Sequence, residues 1–317
     1  MQKWVLLGGI GVFAAMALAA FAGAYFMISD EYEFTQRTKP TARAGVDEFS
    51  RTPQTVFAAE TPDWIKDAYT DLAGTVYSLL EKSFDRKLSQ RPTVFIVMAE
   101  GEDNRFGFTG RARYGEVIVT LAGGAWQKSS PEKLDLFRRG MAHEFVHLWQ
   151  WDSVGTNRAA RMTWINEGVA QAIAAELMMA SGYWDENQRK DFRKKESKKC
   201  ADGLAGRALA DTTERTATDD AYYGCGFVIA DVVSKARGET VIQFWREFFI
   251  AHQMQEYFEE EDFFDFIRLD TNDAIFTAAV DLFVNKPHRD PSFAIDNLYG
   301  VAERSNARRD QSVMGEN

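Results

Sequence analysis

Two of the chain's four histidines lie four residues apart in the segment HEFVHLWQW, residues 143–151. In an α-helix, positions i and i+4 lie one turn apart on the same face, so His143 and His147 can present two imidazole nitrogens to a single ion. Glu144 occupies the neighbouring angular position and can reach a water on that ion without being a ligand itself, as a zinc hydrolase requires. The spacing therefore predicts a helix that binds a metal on one face, with a further ligand supplied by another segment.

The alternative interpretation of this segment is a buried helix with two polar interruptions. The residues around the histidines are strongly apolar: Phe145, Val146, Leu148 and Trp149. Burying two imidazoles there without an ion would leave ring nitrogens that need hydrogen bonds elsewhere. The sequence therefore favours the metal. The nearby tryptophans are predicted to be core residues rather than a substrate cage: Trp149, Trp151 and Trp164.

A second motif, WINEGVAQAIA, follows at residues 164–174. Together with HEFVH it resembles the gluzincin metallopeptidases, the broad group that contains thermolysin and aminopeptidase N. In that group a second helix, which often has an N-E-G or N-E-A core, supplies a glutamate ligand about twenty residues after the second histidine. Glu167 follows His147 by 20 residues. The resemblance implies that His143, His147 and Glu167 bind Zn²⁺, that Glu144 is the general base, and that the substrate is a peptide or protein.

A looser likeness involves residues 222–226, YYGCG. In enzymes similar to aminopeptidase N, a tyrosine within a Y-x-x-G pattern on a later helix donates its hydroxyl to the oxyanion, and Tyr223 occurs in such a pattern. A preorganised donor stabilises the tetrahedral state more than the planar amide, so the assignment is chemically reasonable. Tyr222 could take this role after a one-residue shift, and both tyrosines could instead be packing residues.

The chain departs from aminopeptidase N in one respect that concerns the substrate. Those enzymes recognise the free amine of the substrate with a G-x-M-E-N segment before the zinc helix, but LAGGAWQ at residues 121–127 has no such glutamate. This weakens an aminopeptidase assignment and leaves endo- and exopeptidase activity both open. Thermolysin's acid-stabilising histidine has no clear counterpart. His252 is a candidate, although a lone histidine near a helix end is more often a surface residue.

The favoured function is a membrane-tethered or exported zinc-dependent peptidase. The alternative is an exported zinc-binding module without peptidase activity. Glu144 argues against that alternative, because a structural zinc site prefers four closed ligands and has no use for a general base. A cell-envelope scaffold without a metal would require the histidine pair to be accidental.

The remaining sequence predicts an α+β fold. Thr61-Pro62 predicts an N-cap followed by proline at the first helical position, and apolar residues continue at helical spacing to about Phe84. Two segments rich in β-branched residues predict strands of one small sheet, at 93–99 and 116–122. From Ser130-Pro131 onward the pattern becomes helical, and helices are predicted at 130–151, 162–179, 185–198, 222–236, 240–252 and 258–284.

The resemblance implies a zincin-like arrangement of these elements. A small mixed or antiparallel sheet with helices would form an N-terminal lobe, a helical C-terminal lobe would follow, and the zinc cleft would lie between them. The peptidase domain is expected at residues 56–300, with lobes at about 56–129 and 130–300. Residues 301–317 are expected to form a flexible tail.

An uncharged apolar run of 25 residues extends from Trp4 to Ile28, after Lys3 and before an acidic segment. This length can cross a bilayer, and the charge asymmetry would keep the N-terminus in the cytoplasm. A cleaved signal peptide is the alternative, because Ala20-Phe21-Ala22 resembles a signal peptidase site. Residues 1–29 are therefore predicted to be a transmembrane anchor or signal peptide and residues 30–55 a spacer. The domain would lie in the periplasm or outside the cell, tethered to the membrane or secreted.

Charge and cysteine content limit the remaining possibilities. The formal charge of −10 and the pI near 5.1 argue against nucleic acid as a partner, because phosphate binding needs a basic face. Cys200 and Cys225 both lie in the part predicted to be exported. One disulfide is plausible in an oxidising compartment, and two free thiols are the alternative.

Overall fold

The computed structural model describes most of the predicted domain. The described residues are 52–102, 104–113, 115–154, 163–211, 221–253 and 259–315. The predicted anchor or signal peptide, 1–29, and most of the predicted spacer, 30–55, lie outside them. Within these ranges, no helix combines the length and the apolar character needed to cross a membrane.

A four-stranded mixed sheet forms the N-terminal part of the described chain. Its strands are β1 (Gln54–Phe57), β2 (Thr93–Ala99), β3 (Gly107–Arg113) and β4 (Glu116–Ala122), in the order β1-β2-β4-β3. The first three strands in that order are parallel, and β3 runs antiparallel to β4 at one edge. This confirms the predicted mixed sheet, but only β2 and β4 were predicted as strands. The segment of β3, GFTGRAR, has two glycines and one β-branched residue, so its pairing with β4 rather than its own propensity makes it a strand.

Helix α1 (Asp63–Phe84) connects β1 to β2 and contributes to the core beside the sheet. It begins one residue later than predicted: Pro62 is the N-cap, in an extended conformation, and its carbonyl accepts hydrogen bonds from the backbone N–H groups of Ile65 and Lys66. The predicted apolar series is buried, as are the paired residues on one face of β2 and β4, namely Val94 with Val117 and Ile96 with Val119. This core supports the helix that follows β4.

Eight helices follow the sheet within the described residues. They are α2 (Pro131–Val154), α3 (Thr163–Ala180), α4 (Glu186–Leu204), α5 (Ala221–Arg237), α6 (Val241–His252), α7 (Glu260–Thr271), α8 (Ala274–Asn285) and α9 (Pro291–Gly315). The single helix predicted at 258–284 is wrong, because the chain breaks between α7 and α8. Asn272 adopts a left-handed conformation with φ 49°, and Asp273 caps α8 by accepting hydrogen bonds from the N–H groups of Ile275 and Phe276.

The C-terminal residues also differ from expectation. Residues 301–317 were expected to form a flexible tail, but α9 continues to Gly315. Val301, Ala302 and Ser305 are buried along one face of the helix, which packs against α5. This burial at helical spacing explains why the helix continues.

Helix α5 is held tightly between two neighbours. Cys200 of α4 and Cys225 of α5 form a disulfide with a Cα–Cα distance of 4.6 Å, which confirms the pairing expected from the sequence. On the other side, a Cβ on Gly226 would lie 1.9 Å from the carbonyl oxygen of Trp164. Only glycine permits α5 to approach α3 this closely. The contact places the start of α5 beside the N-terminal part of α3, where Glu167 lies.

The tryptophans near the two motifs are core residues, as predicted. Trp149 and Trp164 are buried, and Trp149 packs edge-to-face against Tyr77 with ring centroids 4.8 Å apart. Trp151 is partly buried and donates its indole N–H to the carbonyl of Ala112 in β3. His252 is also buried, and its Nδ1 lies 2.7 Å from the carbonyl oxygen of Phe248. The structure therefore places His252 in the aromatic core of α6 and α7 rather than on the surface.

Candidate active site

The site lies where α2 and α3 meet and where β3 packs against α2. His143, Glu144 and His147 follow one another on α2, and all three are buried. Glu167 lies in the second turn of α3 and is partly buried. The helical spacing of the histidine pair therefore has the predicted result, and the packing of α3 against α2 brings the distant glutamate to it.

Three potential ligand atoms form a small triangle. The Nε2 atoms of His143 and His147 are 3.0 Å apart, and Oε2 of Glu167 lies 3.1 Å from the first and 3.3 Å from the second. A tetrahedral zinc site with bonds of about 2.0–2.1 Å separates neighbouring ligand atoms by about 3.3 Å. The triangle therefore has the size and the donor set of a three-ligand zinc centre, and among the described residues this trio is the group that could hold a metal ion.

The electrostatics of the triangle favour a cation. Burial would raise the pKa of Glu167, but the neighbouring imidazoles of His147 and His143 outweigh it and hold that pKa well below its usual range. Burial lowers the pKa of His147, but the Glu167 carboxylate outweighs this effect and raises the pKa to about 9. An ionised carboxylate that stabilises positive charge at this position would do the same for a divalent metal.

Glu144 is a buried carboxylate beside the triangle. Burial raises its pKa, while His147 and His143 oppose the rise. Its Oε2 atom is buried and has no hydrogen-bond partner among the described residues. Such a group is costly unless something polar meets it, and a water held between the carboxylate and a metal would do so.

Strand β3 forms the floor beneath Glu144. A Cβ on Gly110 would lie 2.1 Å from Oε1 of Glu144 and 2.4 Å from its carboxyl carbon, so no larger residue fits there without moving the carboxylate. The sequence gave no sign of this contact, because β3 itself was not predicted and the two residues are 34 positions apart.

Gln150 is a second residue that was not identified from the sequence. It is only 3% exposed, and its Oε1 lies 2.6 Å from Nδ1 of His147. Its Nε2 donates to the backbone carbonyl of Asn166 at 3.1 Å. A polar residue three positions after His147, within the apolar run LWQW, is the local signal that could have revealed it. The side chain of Asn166 lies 3.5 Å from Oε1 of Glu167, so this residue contacts the site through both its backbone and its amide.

Tyr223 closes another side of the site. Its ring centroid is 6.0 Å from that of His143. Burial raises the pKa of its hydroxyl well above the usual value, and the nearby Glu167 adds to the rise, so the hydroxyl remains a hydrogen-bond donor. Tyr222 stacks on Tyr223 with centroids 4.5 Å apart. The structure therefore brings all five predicted site residues together.

Comparison with solved structures extends the similarity to the fold. The chain is similar to an aminopeptidase N family protein from Idiomarina loihiensis, with a TM-score of 0.60 and 14% identity over 77% of this chain and 46% of that chain. It is also similar to the M1 zinc metallopeptidase from Deinococcus radiodurans, with a TM-score of 0.52 and 16% identity over 78% and 51%. The chain thus spans about half the length of these structures. At such low identity the likeness concerns the fold, and it confirms the α+β, zincin-like prediction.

Comparison of the sequence is more informative about the family. A search of curated proteins gives no match. A family model described as peptidase of plants and bacteria matches residues 37–205, which are 169 of the 317 residues. The matched range contains His143, Glu144, His147 and Glu167, whereas Tyr223 lies beyond it. Because the match covers more than half of the chain, this protein belongs to the family of peptidases of plants and bacteria.

Proposed function

We propose that this protein is a zinc-dependent peptidase in which His143, His147 and Glu167 hold the metal. The observation that carries the proposal is the triangle of ligand atoms, with edges of 3.0, 3.1 and 3.3 Å, beside an unpartnered carboxylate. Three protein ligands leave a fourth position for water or substrate, which is typical of catalytic rather than structural zinc. When bound, zinc lowers the pKa of water toward about 7 and polarises the substrate carbonyl.

Glu144 is the proposed general base. Its burial and raised pKa favour the uptake of a proton, and its position next to the ligands lets it accept that proton from the attacking water. The same carboxyl then delivers the proton to the leaving amine, so the bond between carbonyl carbon and nitrogen breaks without releasing an unprotonated amine. Gly110 is the contact that sets the position of this carboxylate.

We expect Gly110→Ala to lower kcat/KM for peptide cleavage by about 10²-fold, because a misplacement of about 1 Å can have that effect. Zinc content should be unchanged, since the ligands are not touched. Gly107→Ala on the same strand is the matched control: a Cβ there would meet only the Cβ of Ala122, at 4.0 Å. Equal loss of activity in both variants would indicate general damage to β3 rather than displacement of Glu144.

Tyr223 is the proposed donor to the developing oxyanion. We expect Tyr223→Phe to lower kcat by about 10²–10³-fold, the usual effect of removing one oxyanion donor, because the ring remains and only the hydroxyl is lost. Tyr222→Phe serves as the control and should retain most activity. Steady-state kinetics with zinc content measured in parallel tests this. A Tyr223→Phe variant with full kcat would exclude the hydroxyl from the reaction.

We further propose that the domain is exported, either tethered by the apolar run at residues 4–28 or secreted after its cleavage. The disulfide between Cys200 and Cys225 supports an oxidising compartment. The substrate would be a peptide or protein in the periplasm or outside the cell. Fractionation of cells that express the full chain would separate the tethered form from the secreted form, and the protein would not be expected in the cytosolic fraction.

The proposed function is tested by measuring zinc and cleavage in one preparation of the full chain. We expect about one zinc per chain by elemental analysis and cleavage of some members of a mixed peptide library. A chelator should abolish cleavage, and added zinc should restore it. A folded protein that contains no zinc after careful preparation and binds none when it is added would contradict the proposal.

A further inference from the structure

We propose that Gln150 is a positioning residue that fixes the orientation and tautomer of His147 and ties the two ligand helices together. The inference rests on the proposed function, because it concerns the zinc site. Gln150 lies on α2 three residues after His147 and is buried. Its two polar atoms contact two elements of the site, the imidazole of His147 on α2 and the backbone of Asn166 on α3.

The second contact determines which way the amide points. A backbone carbonyl can only accept a hydrogen bond, so the group facing the carbonyl of Asn166 must be the NH₂ of Gln150. The oxygen of the amide therefore faces Nδ1 of His147, at 2.6 Å. Because an amide oxygen can only accept, Nδ1 of His147 must carry the proton. The Nε2 lone pair is then free and directed into the triangle, where a metal ligand requires it.

His143 differs from His147 in this respect. Its Nδ1 is buried, and within the described part of the chain it has no hydrogen-bond partner. The protein thus orients one imidazole through a buried side chain and leaves the other without such support. We therefore expect the affinity of the site for zinc to depend on Gln150, since outer partners of metal-binding histidines typically contribute 10- to 100-fold.

The same amide also links the ligands across the helix interface. Asn166 immediately precedes Glu167, so its carbonyl is one peptide unit from the third ligand. The hydrogen bond from Gln150 holds that peptide against α2, at the turn where Glu167 must meet the two histidines. One side chain thereby constrains His147 directly and Glu167 through the backbone of α3.

Two substitutions separate this role from simple packing. Gln150→Met keeps the length of the side chain but removes both the amide oxygen and the NH₂, whereas Gln150→Glu keeps an acceptor for His147 and loses only the donor. We expect Gln150→Met to bind zinc 10- to 100-fold more weakly than wild type in competition with a chromophoric chelator. Gln150→Glu should remain within about 10-fold of wild type, because carboxylates commonly orient zinc-binding histidines.

The absorption spectrum of the cobalt-substituted full chain gives a second readout that does not depend on activity. We expect an altered visible spectrum for Gln150→Met and a spectrum close to wild type for Gln150→Glu. Ser153→Ala is the control, since it removes another buried polar group one turn further along α2, where Ser153 pairs with Arg86 rather than with a ligand. Its zinc affinity and cobalt spectrum should match those of wild type.

The outcomes distinguish the inference from the proposed function. If wild type binds zinc and cleaves peptides but Gln150→Met binds zinc equally well, the positioning role is refuted and the peptidase remains. A folded Gln150→Glu variant that loses more than about 10-fold in zinc affinity also overturns the inference, even if Gln150→Met fails to fold, because the acceptor would then not be the relevant feature. Failure of wild type itself to bind zinc would remove the proposed function.

Discussion

Glu144→Gln is expected to lower kcat/KM for peptide cleavage by about 10²–10⁴-fold, the usual contribution of a general acid–base residue. The amide has the same shape as the carboxylate and can occupy the same space above Gly110, but it cannot accept a proton from water. Because Glu144 is not one of the three atoms of the triangle, the variant should retain about one zinc per chain. The measurement combines steady-state kinetics on a peptide found in the library screen with elemental analysis of the same sample.

The matched control is Glu132→Gln, which makes the same chemical change at an exposed position in the first turn of α2. It should leave both activity and zinc content unaltered. If Glu144→Gln and wild type behaved alike in every assay while both held zinc, Glu144 would have no catalytic role. The alternative of a zinc-binding module without peptidase activity would then be preferred.

The features that could be predicted from the sequence are those that depend on local spacing. His143 and His147 meet because a helix repeats every 3.6 residues, and the surrounding apolar run is sufficient to predict that helix. Glu167 and Tyr223 required a resemblance to known enzymes, since no periodicity indicates that α3 and α5 pack beside α2. The disulfide was expected on the basis of the predicted compartment rather than from any computed proximity of the two cysteines.

The features that were missed depend on contacts between distant residues. Strand β3 is formed by pairing with β4, and the closeness of Gly110 to Glu144 follows from that pairing and from the packing of α2 on the sheet. Gln150 lay within the motif, yet its role depends on the carbonyl of Asn166 on another helix. The break at Asn272 is different, because Asn followed by Asp is a local signal for ending one helix and capping the next. It was overridden by the apolar periodicity on both sides.

Glu167→Ala is expected to weaken zinc binding by about 100-fold or more, since loss of even an outer partner of a zinc ligand typically reduces affinity 10- to 100-fold. The substitution removes one of three ligand atoms and the negative charge that favours a cation at the triangle. Zinc per chain should fall well below one after dialysis, and cleavage should fall with it. Elemental analysis and competition with a chelator measure the first effect, and Glu186→Ala, an exposed glutamate in the first turn of α4, is the control.

Thermal unfolding provides an independent test of the same ligand, because an ion that binds only the folded state stabilises it. At a free zinc concentration 100 times the wild-type Kd, the stabilisation is about 2.7 kcal/mol for wild type, and it falls to about 0.4 kcal/mol if the variant binds 100-fold more weakly. The shift in Tm on adding zinc should therefore be large for wild type and Glu186→Ala and nearly absent for Glu167→Ala. A variant that kept the wild-type shift would show that Glu167 is not a ligand. In that case the third ligand would have to come from elsewhere, and the triangle would have only its two histidines.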